Sequence, residues 1–342
     1  MEAAMPNLPR LRRARESELL SPDSVEPEVL APRVEEITSG GLRWINIESP
    51  GGEERAWLEE NFDFHALDIE DVLSHNQRPK IDEYPDYLFL VVHVPVFDRK
   101  AKRLVAGEID IFVGPDFMVT LPNRGIPPVE YLFERCRADD TLRHKLFARG
   151  SGYLMYRLVD DSFDYCFPML RKIGNKLDAL EEEIFEGRSE DVVRDLSNAK
   201  QEIINFRKVI RPQRPVLRDL ENVKSRYLAS DLDLEIYFDD IVDAHERIWD
   251  MLENYKEVVV ALEETNESII SHKVNDILRV LTSISVIVLP LTLIASIFGM
   301  NVGLPGGGDP ATSTDFHFFV VVGIMLVILV GMVAYFRKRD WL

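Results

Sequence analysis

The chain of 342 residues predicts an α+β cytoplasmic domain, a long helical stalk and two C-terminal transmembrane helices. Three observations carry that prediction. Residues 280–300 form a run of 21 without a charge, enough to cross a bilayer as one helix, and residues 316–336 form a second apolar run. Between residue 235 and Pro290 there is no Pro or Gly, so one helix can run from the soluble domain into the membrane, on the order of 95 Å in all. Residues 87–97, 104–113 and 117–121 are rich in β-branched and aromatic side chains and are separated by turn-forming clusters. They read as hairpin-linked strands of a mixed or antiparallel sheet.

In chain order, residues 1–38 mix Pro, Ser, Glu and Arg without apolar periodicity and predict a disordered tail. Residues 39–150 predict an α/β sandwich. Residues 42–47 alternate as a half-buried strand, and residues 53–62 and 65–73 give short helices. Pro79 ends that stretch because it disfavours helix at Arg78. After the three strands, helices over about 129–136 and 141–148 cover the sheet. From Gly152 onward Tyr156, Val159, Phe163, Phe167 and Leu170 recur at intervals of 3 and 4, so residues 151–234 predict a helical region. Within it the sequence places a kink at Pro168, a turn at 187–189, a firm break at 211–215, a helix over 216–227 and a break at 229–231. Residues 235–279 are the stalk, 280–300 the first span, 301–315 a loop, 316–336 the second span and 337–342 a basic tail.

The formal net charge is -19, and nearly all the acid lies ahead of the spans. An acidic body argues against nucleic acid and for cations as partners. Cys136 and Cys166 lack any metal or redox spacing and read as ordinary reduced thiols. No apolar segment follows the first Met, so no signal peptide is expected. Arg337, Lys338 and Arg339 flank the second span, whereas residues 302–315 hold no Lys or Arg. The positive-inside rule therefore puts both termini in the cytoplasm and the loop outside a plasma (inner) membrane. No phosphate-binding, dinucleotide, zinc-protease or nucleophile-elbow motif occurs, so neither an enzyme site nor a prosthetic group is expected. Acidic runs such as Glu181-Glu182-Glu183 read as solvated helix faces, and His65, His75 and His93 as scattered histidines.

On the first span Asn275, Leu278, Thr282, Ser285, Leu289, Thr292, Ser296 and Gly299 follow at spacings of 3, 4, 3, 4, 3, 4 and 3. This is a stripe along one helix face. Small and hydroxyl residues at that spacing let membrane helices approach closely. They also suit the wall of an aqueous path, which one helix cannot enclose, so that reading requires several copies around an axis. Pro290 removes one backbone hydrogen bond inside the span and frees the Val286 carbonyl.

The tripeptide Gly299-Met300-Asn301, preceded by Pro290-Leu291-Thr292 and followed by a short loop and a second apolar run, resembles the signature of the CorA family of divalent-cation channels. The likeness extends back through Asn275-Asp276-Ile277-Leu278, forward to Trp341-Leu342, and covers roughly residues 42–342. It implies a homopentameric funnel whose pore is lined by the first span, with Gly299, Met300 and Asn301 as selectivity mouth and Asn301 holding the hydrated ion. It further implies Mg2+, with Co2+ or Ni2+, as cargo, and Mg2+ as regulator at an intersubunit site. That site would use Asp98, in the turn after residues 87–97, and Asp240 in the stretch Asp239-Asp240-Ile241-Val242-Asp243-Ala244-His245. One departure stands out. Many members follow GMN with Met-Pro-Glu, whereas this chain has Val302-Gly303-Leu304-Pro305-Gly306-Gly307-Gly308, which looks like the ZntB branch of zinc transporters. Zinc is therefore the alternative cargo. A membrane-anchored structural or signalling coil is a more distant alternative, disfavoured because an anchor needs neither the stripe nor GMN.

Overall fold

The computed structural model describes residues 33–74, 77–98, 101–186, 189–223, 230, 232–300, 316–339 and 341. Strands β1 (Glu35–Ser39) and β2 (Leu42–Asn46) form a hairpin whose turn, Gly40-Gly41, has φ of 61° and 89°. Two successive left-handed positions select glycine. The hairpin corrects part of the expected disordered tail, because residues 35–38 are ordered by pairing with β2; residues 1–32 lie outside the described residues.

Helices α1 (Gly52–Asn61) and α2 (Ala66–Ser74) precede β3 (Lys80–Glu83), β4 (Leu88–Asp98), β5 (Arg103–Val113) and β6 (Phe117–Pro122). The sheet order is β1-β2-β6-β5-β4-β3, with β2 and β6 parallel and every other pair antiparallel, so the sheet is mixed. Strand β4 shows no polar alternation because both of its faces are covered. Leu88, Leu90, Val92 and Val94 join the main core, while Phe89 and Val91 join a smaller core with Leu58, Ile69 and Val72 of α1 and α2.

The other face carries α3 (Pro127–Ala138), α4 (Asp140–Phe147), α5 (Ser151–Asp164), α6 (Cys166–Glu186), α7 (Ser189–Ile210), a 3-10 turn at Arg211–Gln213 and α8 (Arg214–Asn222). Two proline expectations change here. The helical run divides at Tyr165, and Pro168 falls in the first turn of α6, where a missing N–H leaves no bond unmade. Pro215 likewise sits in the first turn of α8, so the firm break shrinks to the 3-10 turn. The expected turn at 187–188 and the break at 229 and 231 lie outside the described residues.

Helix α9 (Leu234–Phe298) has 65 residues and is continuous through Pro290; α10 (Phe316–Lys338) follows the loop. Leu234, Phe238, Ile241, Ile248, Leu252, Val259 and Leu262 bury one stripe of α9 against α5 to α8. Ile269 is the last residue of α9 to pack against the core, and residues 270–282 are all exposed, so these turns stand clear of the domain. A small polar joint ties the sheet to this helix. Gln213, 1% exposed, accepts a hydrogen bond from the His93 N–H (3.0 Å) and donates to the His93 carbonyl (2.8 Å), continuing the β4 edge where β3 has ended. Three residues earlier in the chain, the Ile210 carbonyl lies 3.0 Å from Nε2 of buried His245 on α9. Burial holds the His245 pKa below its ordinary value, so the ring stays neutral and Nε2–H donates.

Candidate ion pathway and regulatory acids

Helix α10 packs along one face of the membrane end of α9, and the least exposed residues there are Ser283, Ile287, Pro290, Leu291 and Ile294. Ile287 is turned about 160° from Leu289 at 3.6 residues per turn. The stripe therefore faces away from α10. Asn275, Leu278, Thr282, Ser285, Leu289, Thr292, Ser296 and Gly299 are all exposed, Leu289 by 68%. The Ser285 hydroxyl donates to the Leu281 carbonyl (2.9 Å) and Thr292 donates to Val288 (2.9 Å). With their protons used within the helix, these oxygens present lone pairs outward. Lone pairs accept from the waters of a hydrated cation.

At the end of the span Gly299 is right-handed, with φ -83 and ψ -6, so no left-handed turn explains it. Space does. Its N–H donates to the Ala295 carbonyl at 2.9 Å, and a Cβ would meet that same oxygen at 3.1 Å. Met300 is 57% exposed. Asn301 and the loop to residue 315 lie outside the described residues.

Asp98 is the last residue of β4 rather than part of the turn after it, because it pairs with Arg103 in the ladder. Its carboxylate accepts from the Ala101 N–H (3.0 Å) and lies 3.7 Å from the Arg124 guanidinium. Asp240 is exposed in the second turn of α9 and accepts from the Tyr156 hydroxyl at 3.4 Å. Each acid is thus held by its own neighbours within one chain.

Residues 39–338 match the family model described as CorA-like Mg2+ transporter protein. The chain belongs to the CorA-like family. Membership makes it a transporter of Mg2+ or a related divalent cation. It is 31% identical over 283 residues to the cobalt/magnesium transport protein CorA of Thermotoga maritima, spanning 83% of this chain and 78% of that one. It is 20% identical to the zinc transport protein ZntB of Yersinia pseudotuberculosis, over 87% of this chain and 88% of that one. Its fold resembles the complete CorA magnesium transporter from Methanocaldococcus jannaschii, with a TM-score of 0.76 at 23% identity over 91% of this chain and 95% of that one.

Within this CorA-family fold two features escaped the sequence. The Gln213 and His245 joint links segments far apart in the chain, and the sequence read Gln213 only as part of a break. The second is Asp160, Asp161 and Asp164 on α5, whose carboxylate oxygens come within 4.8 Å of one another. The i, i+1, i+4 spacing was the available signal. Arg157 pairs with both Asp160 (3.0 Å) and Asp161. Even so, burial, and then the Asp164 charge, push the Asp160 carboxyl up to about 6, with Asp240 adding to the repulsion. A folded pKa above the unfolded one means that the ionised form destabilises the fold above pH 6, and the penalty disappears as pH falls below about 4. Asp160→Asn is expected to stabilise the metal-free protein by about 1–3 kcal/mol at pH 8, and by little at pH 4. Thermal unfolding in EDTA at both pH values checks this; equal shifts would remove the carboxylate repulsion as the cause.

Proposed function

We propose that copies of this chain, five by likeness to the CorA family, surround an axis so that the α9 stripes line a path for hydrated Mg2+. The observation that carries this reading is the stripe's exposure on the face of α9 turned away from α10. In such a ring Thr282, Ser285, Thr292 and Ser296 offer hydroxyl oxygens, Leu278 and Leu289 apolar rings, and Asn275 and Asn301 amides at the two ends. Both termini lie in the cytoplasm, and Gly299-Met300-Asn301 forms the outer mouth. Metal flux into liposomes holding the purified protein tests the proposal, and absence of Mg2+ and Zn2+ flux from assembled protein overturns it. Zinc is the second reading, favoured by the Gly- and Pro-rich loop at residues 302–308 and the likeness to a zinc transport protein. Flux of Zn2+ with none of Mg2+ selects it.

Regulation follows from the acids. An intracellular Mg2+ bridging Asp98 of one copy to Asp240 of the next offsets carboxylate repulsion only when the ring is closed, so the ion favours that state by differential binding. Asp98→Lys combined with Asp240→Lys replaces the ion's charge. This variant is expected to resist proteolysis of the stalk without Mg2+ and to gain little when it is added. Unchanged protection by Mg2+ in the double variant places the regulatory ion elsewhere.

A further inference from the structure

In a chain with a formal net charge of -19, a cleft gathers three cationic side chains that no carboxylate among the described residues pairs with. A cleft of about 650 Å³ opens between the lead into β3, the first residues of β5 and the last turns of α7, with Arg78, His93, Arg103, Asn205, Lys208 and Pro212 among its lining residues. Arg78, Arg103 and Lys208 make no ion pair with any described residue. The contrast with their neighbours is informative: Lys200 is paired with Glu263, and Arg207 with Glu253. Half-buried His93 turns Nε2 toward the buried Glu108 carboxylate at 3.6 Å, and that carboxylate also accepts from the Gln77 N–H (2.9 Å), so the acid nearest the cleft is engaged by His93 and Gln77 rather than by the three cations.

Cations converging on one concavity focus a positive potential there and raise the local concentration of anions. Two guanidinium forks and an ammonium suit phosphate oxygens, to which Arg bonds bidentately and Lys as a point charge. The amides of Gln77 and Asn205 add neutral hydrogen-bonding groups, and Leu104, Val209 and Pro212 an apolar wall. A concavity of this volume is within the range for small organic ligands. We propose that this cleft binds a polyphosphate anion, free or as the phosphate tail of a nucleotide. The location gives such binding a consequence. Arg78 and Arg103 stand on the sheet side and Lys208 on α7, beside the Gln213 joint that holds His93 and near the Ile210 carbonyl that holds His245 of α9. An anion spanning the cleft ties the sheet to the turn that contacts the long helix. Because polyphosphates chelate Mg2+, the cleft lets the protein respond to the anions that bind its cargo.

Anion binding is measured without flux, so binding and transport can each fail alone. Full-length protein in detergent is titrated calorimetrically with ATP, inorganic triphosphate and adenosine at about 0.15 M salt, a concentration that screens diffuse surface attraction. Saturable binding of ATP and triphosphate, with none of adenosine, is expected. Arg78→Gln, Arg103→Gln and Lys208→Gln are each expected to weaken it about tenfold or more, the loss typical of a charge-assisted hydrogen bond. Arg103→Lys is expected to retain most of the affinity, and Arg171→Gln on exposed α6, away from the cleft, to change nothing. Equal affinities for ATP and triphosphate identify free polyphosphate as sufficient, whereas a tenfold preference for ATP identifies the nucleotide. Binding of neither anion by wild-type protein, or equal affinity across the folded cleft variants, overturns the proposal, and competition of triphosphate with ATP on wild-type protein tests it without any substitution.

Discussion

Asn301→Ala is expected to abolish Mg2+ uptake while leaving the assembly intact. Mg2+ sheds water reluctantly and normally keeps several waters when bound, so a selective mouth has to grip the hydrated ion through outer-shell hydrogen bonds. A ring of amide oxygens accepts from those waters without holding the ion too tightly to leave, which conduction requires. On the proposed reading, alanine leaves those waters unmatched at the mouth. Asn301→Asp replaces the amides by carboxylates and is expected to alter affinity or selectivity rather than to restore normal uptake. Uptake into liposomes, with the oligomer checked by size-exclusion chromatography, measures both. Wild-type uptake by assembled Asn301→Ala protein would refute a role for this residue in ion selection.

Leu289→Ser is expected to act in the opposite direction, raising basal flux. Leu289 is the most exposed apolar residue of the stripe at this depth, and Ser285 and Thr292 flank it along the same face. A ring of its methyl groups presents nothing to the ion's hydration shell, and such hydrophobic constrictions gate by dewetting. If the serine ring lowers the barrier by about 1.4 kcal/mol, passage speeds about tenfold. Flux at high internal Mg2+, where the wild-type path is expected to be closed, is the sensitive measurement. Unchanged flux in both the presence and the absence of Mg2+ removes Leu289 from the gate.

How much was legible in the sequence depended on whether the determining forces were local. Strands β4 to β6 and helix α9 announce themselves because side-chain type, periodicity and the positions of Pro and Gly all agree. Strand β3, Lys-Ile-Asp-Glu, does not. It is an edge strand, and Lys80 carries ion pairs to Asp71 (2.8 Å) and Asp82 (2.7 Å) that no hydrophobic pattern reports. Strand β1 was equally hidden, since only the Gly40-Gly41 turn brings its polar residues to β2. The stripe was legible as a face. Its direction was not, because the packing of α10 on α9 is a tertiary fact. Asp98 and Asp240 lie too far apart in the chain for any spacing argument, and their pairing came from family likeness alone.

The 65 residues of α9, about 97 Å long, also set a mechanical gain. A rigid rod of that length tilted by about 1° at its base sweeps its far end through roughly 1.7 Å, comparable to the radius of a water molecule. Adjustments at the domain end that are too small to break a single hydrogen bond are thus large on the scale of a passage sized for hydrated ions. The same leverage penalises unequal tilts, since rods that disagree by a degree or two no longer meet at a common opening.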